Sequence, residues 1–163
     1  MLKWLREHDC PWNADTCTYA AECGHLEVLQ WAREHGCAWH AWTCARAAAG
    51  GQLEVLKWAR EHGCPWNEDL DDEDMDCCAL ATYGGHLEVL KWLRAHDCPW
   101  NEDTCDAAAR VGQLEVLKWA REHGCPWTES VCDIVLVYGQ LEVLRWAIEH
   151  GCPGGAQFAH HLT

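Results

Sequence analysis

Phenylalanine occurs once in this chain, methionine twice and tyrosine three times, against twelve tryptophans. A core built on the usual mixture of large aromatics is therefore excluded, and two ladders of repeat positions account for the tryptophan excess. Basic residues are scarce, 12 against 26 acidic, for a formal charge of −14. That balance opposes binding to nucleic acid or to an anionic membrane, because both depend on exchanging protein cations for counterions. Apolar runs approaching the roughly 20 residues of a membrane span are missing. So is a secretory leader, since Met1 to His8 reads as an amphipathic helix with charges inside it. With 13 cysteines, an odd number, and no leader, a reducing intracellular and cytoplasmic location is expected. No segment alternates with the period of a strand.

What is present is repetition. The stretch Leu114-Glu115-Val116-Leu117-Lys118-Trp119-Ala120-Arg121-Glu122-His123-Gly124-Cys125-Pro126-Trp127 recurs in near-copies, its first tryptophan falling at Trp4, Trp31, Trp58, Trp92, Trp119 and Trp146. A fixed period of this length marks a stacked repeat array, in which no unit buries a core alone. Glu115 lies in the first turn of this helix and Lys118, Arg121 and His123 toward its end, as the macrodipole favours. Gly124 stops it, and Pro126 follows.

The half-unit before it, Asn101 to Val111, starts with a capping asparagine followed by Glu102 and Asp103. Cys105, Ala108 and Ala109 then form a small-residue face at helical spacing. Each unit is thus a helix–turn–helix hairpin with a slim first helix and a longer second one. First helices are expected near 14–23, 40–49, 77–83, 102–110 and 129–138. Second helices are expected near 2–8, 26–35, 53–62, 87–96, 114–123 and 141–150. Leu114, Val116, Leu117, Trp119 and Ala120 cannot all face one neighbour, so the second helix is sandwiched between units, with Trp119 and its equivalents as the spine. On that reading Trp119→Ala removes about 3–5 kcal/mol.

The segment Ala108-Ala109-Arg110-Val111-Gly112-Gln113-Leu114-Glu115-Val116-Leu117-Lys118-Trp119-Ala120 resembles the ankyrin core A-A-R-x-G-H-L-E-V-V-K-L-L. Glu122-His123-Gly124-Cys125 is similar to its E-H-G-A ending. The units are shorter than the family's 33 residues, and Gly124 to Glu129 leaves no room for a projecting β-hairpin. The likeness is to a shortened, tryptophan- and cysteine-rich class found in large arrays of algae, protists and giant viruses. It implies an all-α, right-handed solenoid in a single array: a partial unit at 1–12, complete units at 13–39, 40–66, 67–100, 101–127 and 128–154, and a degenerate tail at 155–163. Leucine-rich repeats, of comparable period, would need an asparagine and a spacing that L-E-V-L-K-W lacks. Neither end carries a polar capping repeat, so a fragment of a longer array, a truncated product, or ends buried against a partner are the expectations.

Histidine–cysteine pairs recur from His8/Cys10 to His150/Cys152, and a second cysteine ladder runs Cys17, Cys44, Cys78, Cys105, Cys132. Zinc needs four ligands within about 2.3 Å of one ion, whereas equivalent residues of stacked helices stand about 10 Å apart. Buried small hydrophobes are the expectation, with disulfides inside units, such as Cys10–Cys17, as the alternative. Six equivalent pairs single out no nucleophile for catalysis, so no enzyme, metal or cofactor is expected. The insertion at 69–76 belongs to the acidic run Glu68 to Asp76, which lacks the glycine and glutamate of a calcium loop. It reads as a solvated loop, with a basic partner or weak cation binding as the alternatives. The later tryptophan ladder, Trp12, Trp39, Trp66, Trp100 and Trp127, is expected to cover the hairpin ends, and Trp42, outside both ladders, to be exposed.

Function is expected where units differ. The candidate partner-binding residues are Asp15, Glu22, Trp42, Arg46, Tyr83, Glu102, Asp106, Arg110, Glu129 and Tyr138. By resemblance they lie on the concave face and turn tips with which ankyrin proteins hold other proteins. The expected function is a non-catalytic interaction scaffold for a protein partner, with a basic surface favoured by the charge. A thiol- or metal-responsive protein and a structural spacer are the alternatives. The oligomeric state is not readable.

Overall fold

The computed structural model describes residues 14–40, 42–66 and 76–162. The expected helix at 2–8, Trp4, Trp12, Cys10 and most of the acidic run lie outside the described residues. Ten α-helices follow one another, with no strand among the described residues. First helices are α1 (Ala14–Glu22), α3 (Trp42–Ala49), α5 (Cys77–Tyr83), α7 (Glu102–Val111) and α9 (Ser130–Val137). Second helices are α2 (Leu26–Glu34), α4 (Leu53–Glu61), α6 (Leu87–Ala95), α8 (Leu114–Glu122) and α10 (Leu141–Glu149). Every described bound lies within two residues of its expectation.

The helices form for local reasons. The Asn101 side chain accepts from the Asp103 backbone N–H at 3.0 Å, and the Asp76 carboxylate from that of Ala79 at 2.7 Å, so both satisfy orphan donors at a helix start. At the other end, the histidine that follows each second helix swings back. Its Nδ1 lies 2.7–2.8 Å from the carbonyl oxygen of the tryptophan four residues earlier. A carbonyl only accepts, so the Nδ1 proton is donated there. The ring stacks on the same tryptophan at 3.9–4.3 Å. On the outer surface, Glu54–Lys57, Glu88–Lys91 and Glu115–Lys118 pair three residues apart.

Hairpins stack in chain order. First helices approach one another all along the array, α1 on α3, α3 on α5, α5 on α7 and α7 on α9. Their facing residues are alanine and cysteine, which permit that closeness: Ala47, Ala48, Ala81, Ala108 and Ala109 are buried. Second helices are bridged instead by tryptophans of the connections that follow them. Trp39 packs edge-on against Trp58, Trp66 against Trp92, Trp100 against Trp119 and Trp127 against Trp146, at 5.9–6.2 Å.

The turn motif G-Q/H-L acquires a purpose here. Gln113 and its equivalents each lie over the turn glycine of the preceding hairpin. A Cβ at Gly24, Gly51, Gly85 or Gly112 would stand 2.2–2.7 Å from Gln52, His86, Gln113 or Gln140. Gly112 also takes φ +72°. His86 Nε2 is 3.1 Å from the Ala49 carbonyl oxygen, which its N–H reaches across the same junction.

The spine is leucine, not tryptophan. Leu29, Leu56, Leu90, Leu117 and Leu144 are wholly buried, whereas Trp31, Trp58, Trp92, Trp119 and Trp146 are half-buried. The core therefore runs between first and second helices, and the tryptophans seal its flank. The acidic run also ends differently from its reading as a solvated loop, because Asp76 is buried at the start of α5. Past Pro153, where the repeat decays, a 3-10 helix (Gly155–Leu162) packs on α10 and brings Phe158 against the core.

Candidate functional site: the face of the first helices

Because first helices pack so closely, side chains projecting outward from one reach those of the next. Between α1 and α3, Asp15, Thr18, Tyr19, Glu22, His40, Trp42 and Arg46 line a cleft of about 360 Å³. Arg46 meets Glu22 at 3.5 Å and lies 5.4 Å from the Trp42 ring. Both charges are partly solvated, which makes the pair worth under about 1 kcal/mol. The cleft is therefore easily reorganised by a ligand. Trp42 is half-buried rather than exposed, one of its sides covered by Arg46 one turn on.

The same relation recurs between α7 and α9. Ser130 Oγ lies 2.8 and 2.9 Å from the two carboxylate oxygens of Asp106, and partial burial raises the Asp106 pKa from its ordinary value. Arg110 sits 5.7 Å from the Tyr138 ring. Tyr83 closes α5, half exposed, between these two groups along the stack. Glu102 and Glu129 stand exposed where α7 and α9 begin. The structure thus gathers Asp15, Glu22, Trp42 and Arg46 into one cleft and Asp106, Arg110 and Tyr138 at a second junction.

Two exposed residues of this face are not among the candidate partner-binding residues. Tyr19 is 68% exposed and Val137 79% exposed, the largest values among the large hydrophobics described. A signal existed for both. Tyr19 shares its repeat position with Arg46, Leu80, Ala107 and Ile134, and Val137 precedes Tyr138 in a pair that differs in every unit.

The opposite side is more uniform. Arg33, Arg60, Arg94 and Arg121 lie 3.9–4.4 Å from the rings of Trp39, Trp66, Trp100 and Trp127, and each donates to the carbonyl of the cysteine four residues on. Trp39 Nε1 donates to the His62 carbonyl at 3.1 Å. Open clefts between second helices are lined by these groups, among them Arg33, Trp58 and His62. The later tryptophan ladder does cover the hairpin ends as expected, with Trp66 almost fully buried.

A family model, ankyrin repeats (many copies), matches residues 44–94. Residues 44–94 carry ankyrin repeats. The matched segment runs from within α3 to the end of α6, two hairpins of the five described. No curated protein gives a significant match to the chain. Ankyrin repeats are in general protein-interaction modules, and the family is typically non-catalytic. Among the described residues no group of three or more His, Cys, Asp or Glu is placed to hold a metal ion. No described helix is long and apolar enough to cross a membrane.

Proposed function

We propose that this ankyrin array is a non-catalytic scaffold that holds a protein partner on the face of its first helices, its concave side, and at the adjacent turn tips. The observation that supports this most directly is the exposed, unit-specific strip of Tyr19, Tyr83, Val137 and Tyr138, interleaved with Asp15, Glu22, Glu102, Asp106 and Glu129. Tyrosines present large apolar area at small entropic loss, and the carboxylates steer a partner of opposite charge. A partner with a basic surface is the best fit, inside the cell and in the cytoplasm. The chain acts as one array whose units run 13–39, 40–66, 67–100, 101–127 and 128–154, each adding its own outward residues to a common surface.

Proximity labelling in the native cell tests the reading, comparing the unaltered chain with a Tyr83→Ala, Arg110→Ala, Tyr138→Ala variant. The expected result is a reproducible partner that the variant loses while its helical circular dichroism is unchanged. A partner retained in full by a folded variant would place the contact surface elsewhere.

A further inference from the structure

Each of the five described hairpins carries a cysteine on its first helix and another twenty residues later, just past its second helix. The pairs are Cys17/Cys37, Cys44/Cys64, Cys78/Cys98, Cys105/Cys125 and Cys132/Cys152. All ten are buried free thiols. The fold brings each pair together inside one hairpin. The later cysteine's backbone N–H returns to the carbonyl five residues back, at 2.9–3.0 Å in every unit, which turns its side chain inward against the first helix. Cys17 Sγ lies 2.8 Å from Cys37 Sγ. Cys44 and Cys64, Cys105 and Cys125, and Cys132 and Cys152 likewise lie near enough for each thiol to shift the ionisation of a partner. Cys98 is shared by Cys78 and its neighbour Cys77. The pairing inside units is thus twenty residues apart rather than the seven of Cys10–Cys17, since the sulfur of Cys17 faces Cys37.

In four of the five pairs the later cysteine lies beside an arginine. Arg33, Arg60, Arg94 and Arg121 hold the backbone carbonyl of Cys37, Cys64, Cys98 and Cys125, which sets a fixed positive charge beside that end of the pair. Ile148 takes this place in the last hairpin. Hydrogen bonds from Cys77 and Cys78, reinforced by Arg94, bring the Cys98 pKa down to about 5. Burial, without a guanidinium of its own hairpin, pushes that of Cys152 up to about 12. The thiolate is the nucleophile in thiol oxidation, so the last hairpin differs chemically from that of Cys98.

We propose that the five pairs are oxidisable dithiols that close, under a small neutral peroxide, into one disulfide per hairpin. Burial selects the oxidant: hydrogen peroxide can enter during local opening, whereas a bulky disulfide is excluded. The thiolate of the later cysteine attacks a peroxide oxygen, the O–O bond breaks, and hydroxide leaves as water after taking a proton. The resulting sulfenic sulfur is attacked by the first-helix cysteine, whose proton goes to the departing hydroxide. Two thiols and one peroxide give one disulfide and two waters. Because the paired cysteines already lie side by side within each hairpin, the array takes up a staple in each unit and keeps its outward face.

The test uses the full chain, reduced, freed of reductant, and titrated with hydrogen peroxide. It is then alkylated in denaturant for thiol counting and mass-spectrometric mapping of linkages. Ten of the thirteen thiols are expected to be consumed, sparing Cys10, Cys23 and Cys77. Linkages should be only within units, with 78–98 closing first and 132–152 last. The thermal midpoint should rise and fall back on reduction. Cys98→Ala should lose one linkage and keep four. Arg94→Gln, which leaves every cysteine in place, should delay the 78–98 linkage without removing it. Links between units or between chains, oxidation to sulfonate without disulfides, or a titre that stays at thirteen would each overturn the proposal.

Discussion

Asp76 offers the sharpest test of the packing at the junction where the acidic run meets α5. Its carboxyl is buried, with 7% of its surface exposed, yet it caps the helix through Ala79. Burial pushes its pKa from 3.8 to about 6, with Cys98 and Asp103 adding to the rise and the backbone N–H groups of Ala79 and Cys78 opposing it. Ionising this group therefore works against the fold. The folded state holds the proton more tightly than the unfolded chain, so stability is full below about pH 4 and falls as pH rises through about 6. At roughly 1.4 kcal/mol per pH unit, the loss is about 3 kcal/mol by pH 7. Asp76→Asn keeps the capping oxygen and removes the charge. Urea titrations followed by helical circular dichroism at pH 4, 5, 6 and 7 would compare the two proteins, so that contributions common to both cancel in the difference. The variant should be up to about 3 kcal/mol more stable at pH 7 and equal to the parent near pH 4. A difference that stays flat with pH, or a variant less stable at pH 7, would show that the capping bonds outweigh the burial of the charge.

Two further substitutions probe the spine and the junctions. Leu117→Ala should destabilise by about 3–5 kcal/mol and Trp119→Ala by about 2, because the first is wholly and the second only half buried; the reverse order in chemical denaturation would restore the tryptophan as the spine. Gly112→Ala should destabilise by about 1–3 kcal/mol, since Gly112 has a positive φ and a Cβ there meets Gln140 Oε1 at 2.2 Å. Gly124→Ala should lose only the conformational part, about 1 kcal/mol, because nothing lies within 4 Å of that Cβ. Asp97, which takes φ +58° at the equivalent turn of its own hairpin, shows that this second turn tolerates a side chain. Equal losses at the two glycines would refute the seating of Gln140 as a junction contact.

The hairpins were legible because three signals coincide in each unit: a helical apolar period, a charge order that suits the macrodipole, and a glycine stop. What was not legible was orientation. Leu117 and Trp119 lie two residues apart on a helix with neighbours on several sides. Periodicity does not rank those sides, so the bulkier residue was assigned the deeper place. The cysteine pairing was hidden for a related reason. Cys10 and Cys17 are near in sequence, but the chain folds back at the end of each second helix and lays Cys37 on Cys17 instead. Asp76 was absorbed into a run of carboxylates whose composition says solvent, although its place just before Cys77-Cys78-Ala79 is that of a helix cap. The positions that differ between units were readable as a set; that Asp15, Glu22, Trp42 and Arg46 share one cleft was not, because they come from two hairpins.

On the proposed function, recognition is encoded between units rather than within them. Alanine and cysteine let adjacent first helices approach until residues from neighbouring units touch: Glu22 with Arg46, Asp106 with Ser130, Arg110 with Tyr138. Each outward residue thus contacts its counterpart's neighbour as well as solvent. Replacing one changes the posture of the other, so the chemical unit of the surface is the junction rather than the repeat. Five described hairpins give four such junctions, and they are not alike. The first is a cleft with an aromatic floor and a weak ion pair, and the last joins a carboxylate held by a serine to a guanidinium beside a tyrosine. A partner that reads this face must match several dissimilar junctions at a fixed separation, which a uniform stack could not offer. On the proposed reading, the sameness of the second helices would supply the fixed separation, and the differences between first helices the selectivity.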